Sequence, residues 1–215
     1  MKYIFVAGAP GSKWSSVVKN IYYSPDIDRT DYSEQRTYHH DASGTMQLMH
    51  LGAYFDPGME FGDFFDKMDQ YSREALEQEF DRPFSGKGIR IIKSHIFAHH
   101  IDFIQRTWPD CPVVLVHRSN DSCLGWWMMC GEFGITYPNY AGYYKNLKHM
   151  TVQIRSQNLD IAAAMENKQG IFSYDNRATC LNLNIQAPSE EYRQNYSEDD
   201  IRVKVLSLKN LNAYK

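Results

Sequence analysis

Four short, almost uninterrupted apolar runs limit what this chain can fold into. They lie at residues 2–7, 88–94 (Gly-Ile-Arg-Ile-Ile-Lys-Ser), 112–116 (Pro-Val-Val-Leu-Val) and 171–174 (Ile-Phe-Ser-Tyr). A strand with one wet face alternates polar and apolar residues, whereas a strand covered on both faces reads as a continuous apolar run. Helical stretches lie between these runs, from Ser12 to Ile21, from Ala98 to Trp108, and onward from Asn120. Tyr143, Leu147, Met150, Ile154, Ile161 and Met165 recur mostly every three or four residues, which predicts one long amphipathic helix. A last helix is expected from Ser197, where Ser-Glu-Asp-Asp reads as a cap and Ile201, Val205 and Leu208 face inward. Strands alternating with helices imply an α/β fold: a single three-layer domain over residues 1–215, with a central parallel sheet flanked by helices. Residues 24–66 are rich in Tyr, Asp, His and Gly without a clear period. They are expected as loops over the carboxyl ends of the strands, where ligands bind in such folds.

Composition narrows the function. A chain of 215 residues buries on the order of 70% of its unfolded surface, enough for one core. With 23 Lys+Arg against 26 Asp+Glu the net charge is -3, so there is no broad basic field for nucleic acid, and any anion site must be built locally. No run of about 18 apolar residues occurs, which predicts no membrane span, and the opening Met1–Gly8 run is too short for a signal peptide. Cys111, Cys123, Cys130 and Cys180 match no zinc spacing and are read as free thiols in a reducing cytoplasm. His39-His40 and His99-His100 lack a third ligand at recognisable spacing, so no metal is assigned.

The most informative segment is Phe5-Val6-Ala7-Gly8-Ala9-Pro10-Gly11-Ser12-Lys13-Trp14-Ser15-Ser16-Val17. A buried strand enters a Gly/Pro turn, and small hydroxyl residues then open a helix. Glycine lets backbone approach a ligand closely, and a helix N-terminus offers unpaired N–H groups to an anion. Lys13 adds a positive charge, and Ser12, Ser15 and Ser16 add donors. The segment departs from G-x-x-x-x-G-K-[ST]: serine precedes Lys13, and Trp14 separates it from Ser15. The run Val113-Val114-Leu115-Val116 ends in His117-Arg118, where a nucleoside triphosphate enzyme would carry its magnesium-holding acid. Two basic anion sites point to a nucleotide with two separated phosphates.

These stretches together resemble the sulfotransferase family, whose donor is 3′-phosphoadenosine-5′-phosphosulfate (PAPS). Pro10-Gly11-Ser12-Lys13-Trp14-Ser15-Ser16 occupies the place of the family's P-[KR]-S-G-T-T loop, with Gly11 where the family has its basic residue. Arg90-Ile91-Ile92-Lys93-Ser94-His95 resembles the family's R-I-I-K-T-H. His117-Arg118-Ser119-Asn120-Asp121-Ser122 follows a strand as the family's R-N-P-R-D-V-L-V-S-Y-Y does, with the family's serine falling on Gly125. Phe172-Ser173-Tyr174-Asp175-Asn176 is similar to the Y-E-D-L after a later strand, whereas the C-terminal R-K-G segment has no counterpart.

The resemblance implies a P-loop-like fold and transfer of a sulfuryl group from PAPS to a hydroxyl or amine acceptor, leaving adenosine 3′,5′-bisphosphate (PAP) and using no metal. It implies that Gly11, Ser12, Lys13, Trp14, Ser15 and Ser16 hold the 5′-phosphosulfate. Arg118 holds the 3′-phosphate with Ser122 as a second donor, and Tyr174 lies near the adenine. His95 is then the base, with Lys13 and Lys93 at the transferred group. The aromatic residues Tyr38, Tyr54, Phe55, Phe61, Phe133, Tyr137 and Tyr140 are expected around the acceptor. Two other readings remain open: a nucleotide kinase, from the Gly8–Lys13 turn, and a non-catalytic nucleotide-binding relative, from Gly11 and Gly125.

Overall fold

The computed structural model describes residues 1–39, 47–135, 137–189, 195–196 and 200–206, with backbone alone at 38, 39, 47 and 48. Its centre is strand β1 (Tyr3–Gly8), buried at every position. On one side β1 pairs in parallel with β4 (Arg90–Lys93), and on the other in parallel with β5 (Val113–His117). Strands β2 (Thr37–His39) and β3 (Gln47–Met49) form a separate antiparallel pair. The main sheet continues through β7 (Arg202–Leu206) to β6 (Ile171–Ser173), giving the order β4-β1-β5-β7-β6.

Successive residues of β1 point to opposite faces, and each face has its own apolar core. Tyr3, Phe5 and Ala7 pack with Phe80, Phe97, Trp108 and Met165, which belong to α2 (Arg73–Asp81), to the 3₁₀ turn Ile96–His100 and the end of α3 (Ile101–Thr107), and to α6 (Leu147–Asn167). Ile4 and Val6 pack with Val17, Val18 and Ile21 of α1 (Trp14–Tyr22) and with Cys180 and Leu183 of α7 (Asn176–Leu183). A third cluster caps one end of the sheet. It joins Ala9 to Cys123 and Trp127 of α4 (Asn120–Met129), to Tyr140 and Tyr144 of α5 (Tyr140–Tyr144), and to Ile154. Covering helices on both faces explain why the strands read as continuous apolar runs.

The sheet is mixed, not all parallel. Residues expected to form the last helix make β7, which runs antiparallel to both neighbours. Ile201, Val203 and Val205 alternate, and their spacing of two serves a strand better than the spacing of four between Ile201 and Val205 serves a helix. Ser197 and Leu208 lie outside the described residues. Lys204, within that strand, is buried and donates to the carbonyls of Met165 at 2.6 Å and Lys168 at 2.7 Å. Strand β6 therefore has an antiparallel partner and sits at the edge.

The single helix expected over Tyr143–Met165 is broken into α5 and α6. Lys145 takes φ +60°, and the Asn146 side chain accepts from the His149 N–H at 2.9 Å, capping α6. Leu147, expected inward, is 45% exposed as a result. Among the described residues no helix is long and apolar enough to cross a membrane, and all four cysteines are free thiols.

Gly125 lies inside α4, and a Cβ there would meet no atom within 4 Å. Gly125→Ala is expected to raise stability by about 0.5–1 kcal/mol, because glycine carries the larger conformational entropy loss in a helix. Urea unfolding of the two proteins measures the gain, and an unchanged or lower midpoint contradicts it.

Candidate active site

The turn after β1 is tied to the start of α4. Gly11 has φ +78°, and a Cβ on it would come 1.9 Å from the Cys123 carbonyl oxygen. No side chain fits there, which accounts physically for glycine at this position. Lys13, at φ +59°, is the N-cap residue of α1 and provides no side-chain cap, so the first turn of α1 is not closed by that side chain. The Lys13 Nζ lies 4.4 Å from the centre of the Trp126 ring, a cation–π contact that holds the ammonium between α1 and α4.

Between these helices is a cavity of about 220 Å³. Gly11, Lys13, Trp14, Ser15 and Ser16 line one side, and Trp126, Trp127 and Cys130 of α4 and its C-cap line another. His50 and Tyr140 complete the polar lining. Ser12 is not part of it. That side chain is fully buried, and its Oγ has no hydrogen-bond partner among the described residues.

Arg118 stands beside the same turn because Gly8 of β1 pairs in register with Val116 of β5. Its Nη1 donates to the Ser122 carbonyl at 3.4 Å, on the turn of α4 next to the Cys123 carbonyl that Gly11 faces. Ser119, a residue sequence reading did not single out, caps this helix by accepting from the Ser122 N–H at 3.1 Å, and its own hydroxyl donates to the Ser122 Oγ at 2.8 Å. Arg118 and Ser122 are thus adjacent to the turn after β1, though neither lines the cavity. Tyr174 is not brought there. It is 78% exposed at the end of edge strand β6, beside a separate cavity, and Asp175 after it caps α7 by accepting from the Ala178 N–H at 2.7 Å.

His95 follows β4 and is completely buried. Its Nδ1 meets the carbonyl oxygen of Gly8, which can only accept, so the Nδ1 carries the proton. The Nε2 then accepts from the Tyr54 hydroxyl at 2.5 Å. The Trp14 ring stacks on the imidazole at 4.1 Å. Burial, opposed by the Gly8 carbonyl and aided by the nearby Lys93, lowers the pKa of His95 to about 3. The expectation of an imidazole near its ordinary pKa, facing an acceptor, is therefore corrected: His95 is a neutral group behind the cavity wall.

Lys93 is also buried and turns away from the cavity, donating from Nζ to the Leu51 carbonyl at 2.5 Å. Burial brings its pKa down to about 7, opposed by the Asp31 carboxylate. Asp56, which sequence reading missed, accepts from the Ser94 hydroxyl at 2.7 Å and the Ile96 N–H at 3.3 Å. Burial raises its pKa to about 7. These contacts fasten the 51–56 loop over the end of β4, as expected for residues 24–66. Of the expected acceptor aromatics only Tyr140 lines the cavity. Phe55 and Phe61 pack with the core, Phe133 packs on Trp127, Tyr137 bonds Glu60, and the side chain of Tyr38 lies outside the described residues.

Compared with protein-family models, curated proteins and solved structures, the chain matches none.

Gly11→Ala is expected to cost about 2 kcal/mol or more, from a left-handed non-glycine residue plus a backbone collision. Chemical denaturation checks this, and a loss below that of an ordinary surface substitution contradicts it. Lys93 gives a pH dependence of definite sign. Its pKa is about 7 when folded against 10.5 otherwise, so folding releases a proton between those values and stability rises with pH there. The stability of wild type relative to Lys93→Met should therefore increase from pH 7 to 9, by on the order of 1 kcal/mol per pH unit. A flat or falling difference contradicts the buried, largely neutral amine.

Proposed function

We propose that this chain is a PAPS-dependent sulfotransferase with a P-loop-like architecture, acting on a hydroxyl acceptor. One observation carries the reading: Gly11 of the turn after β1 faces the Cys123 carbonyl on the first turn of α4, Arg118 donates to the Ser122 carbonyl of that same turn, and β5 is followed by a cation instead of an acid. A nucleotide with two anionic arms fits that arrangement, with its 5′ arm at Lys13 and the start of α1 and its 3′ phosphate at Arg118 and Ser122. The cavity residues beside Lys13 include no carboxylate among the described residues, which suits an anionic donor. Trp14 and Trp126 supply flat apolar surface next to it.

In this reaction the acceptor oxygen attacks sulfur in line, the bond from sulfur to the donor's phosphate oxygen breaks, and PAP departs. Charge spreads over the equatorial oxygens, so positioning and fixed positive charge supply most of the acceleration. The acceptor's proton ends on His95, whose imidazole adjoins this end of β1 through the Gly8 carbonyl. Free thiols suit a cytoplasmic enzyme.

The test is a thermal-shift series with PAP, with ATP and magnesium, and with no ligand. PAP at about 100 times its dissociation constant should add about 2.7 kcal/mol, a rise of roughly 5–10 °C for a chain of this size. Arg118→Ala should weaken PAP about 10- to 100-fold, the loss of a charge-assisted hydrogen bond. Stabilisation by ATP with magnesium and not by PAP would replace this reading with a kinase. PAP binding without sulfate transfer to any acceptor would favour a non-catalytic relative.

A further inference from the structure

If His95 is to receive a proton from the cavity, something must carry it there. Trp14 covers the face of the imidazole and itself lines the cavity. The Nδ1 is engaged by Gly8, which leaves Nε2 and its bond to Tyr54. Tyr54 is fully buried, yet its hydroxyl is hydrogen-bonded to that of Tyr140, and Tyr140 lines the cavity. A continuous line of hydrogen bonds therefore joins the buried imidazole to the cavity wall.

We infer that Tyr140 is the group that touches the acceptor hydroxyl and that Tyr54 relays its proton to His95. This inference rests on the sulfuryl-transfer reading and names the proton path within it. As the new sulfur–oxygen bond forms and the donor's sulfur–oxygen bond breaks, the acceptor proton passes to the Tyr140 oxygen. The Tyr140 proton moves to the Tyr54 oxygen, and the Tyr54 proton moves to His95 Nε2. One proton leaves the acceptor, one arrives on the imidazole, and both tyrosines end as they began. An anionic donor in the cavity favours the imidazolium, opposing the effect of burial. After PAP leaves, the same path returns the proton to solvent. The relay also explains why a histidine with no access to the cavity sits in this position.

Two measurements test it on intact protein, using PAPS with para-nitrophenol as acceptor probe and PAP as ligand. Tyr140→Phe and Tyr54→Phe should each lower kcat about 100-fold while leaving KM for PAPS and the PAP thermal shift unchanged. Tyr54→Phe combined with His95→Gln should be no slower than the slower single variant, since the groups act as one unit. Nitrogen NMR of His95 should show a protonated Nδ1 and a hydrogen-bonded Nε2 in wild type. Tyr54→Phe should abolish the Nε2 bond, and Tyr140→Phe should shift the same signal. A kcat for Tyr140→Phe within about threefold of wild type overturns the relay, because general acid–base groups contribute far more. An Nε2 signal indifferent to Tyr140→Phe overturns it as well. If PAP stabilises no variant, wild type included, the donor reading fails, and the NMR result alone decides whether the hydrogen-bond path exists.

Discussion

The parallel pairing of β1 with β5 is the constraint on which the cavity depends. Once Gly8 is opposite Val116, the turn after β1 and the basic residue after β5 emerge side by side at the same sheet end. Each strand then feeds a helix, and the two helix starts must share the little space above the sheet. Glycine at position 11 lets them do so, because its backbone lies against the Cys123 carbonyl where no side chain fits. The close approach brings α1 and α4 near enough for Lys13 to reach the Trp126 ring, and the cavity is the gap left between them.

A second constraint acts from below. Lys93, Ser94, His95, Asp56 and Asp31 are all buried, and burying polar groups is costly unless they are bonded. The structure meets that cost with loop contacts: Leu51 accepts from Lys93, Asp56 accepts from Ser94 and Ile96, and Asp31 accepts from the Ala53 N–H at 2.8 Å. Burial opposes charge on either kind of group, which lowers the basicity of Lys93 and His95 and raises the pKa of Asp31 and Asp56. The loop that seals His95 from water is thus held by the same residues whose protonation it controls.

Much of the sheet was legible because its strands are covered on both faces. Residues 3–7, 91–92 and 113–116 carry apolar residues on successive positions, and runs this short, bounded by Gly, Pro or charged residues, suit buried strands. Strand β7 was missed because Ile201 and Val205 also keep a helical spacing of four, and the burial of Lys204 within it depends on two carbonyls that only the folded chain brings near its amine. The break before α6 was missed for a related reason: Tyr143 and Leu147 keep the helical spacing across a cap at Asn146. Around the cavity, the positions of the glycine turn, Lys13 and Trp14 after β1, and of Arg118 after β5 beside that turn, follow from the strand order. The burial of His95 was not legible, since Tyr54 and Tyr140 reach it from loops distant in sequence, and nothing local to Lys93-Ser94-His95 signals either partner.

Glycine at position 11 and lysine at position 13 both follow from this geometry. A long side chain at 11 would have to displace the first turn of α4, and with it Ser122 and the Arg118 contact on that turn. Placed at 13, the ammonium sits at the mouth of α1, where its charge adds to the helix's own positive end, and its stem stacks away from the collision. The cost is a left-handed lysine at φ +59°, a conformation few side chains accept without support. Contact with the Trp126 ring provides part of that support. Glycine at 11 and lysine at 13 are therefore one structural solution, since a side chain at 11 would require α4 to move and the Lys13–Trp126 contact to break.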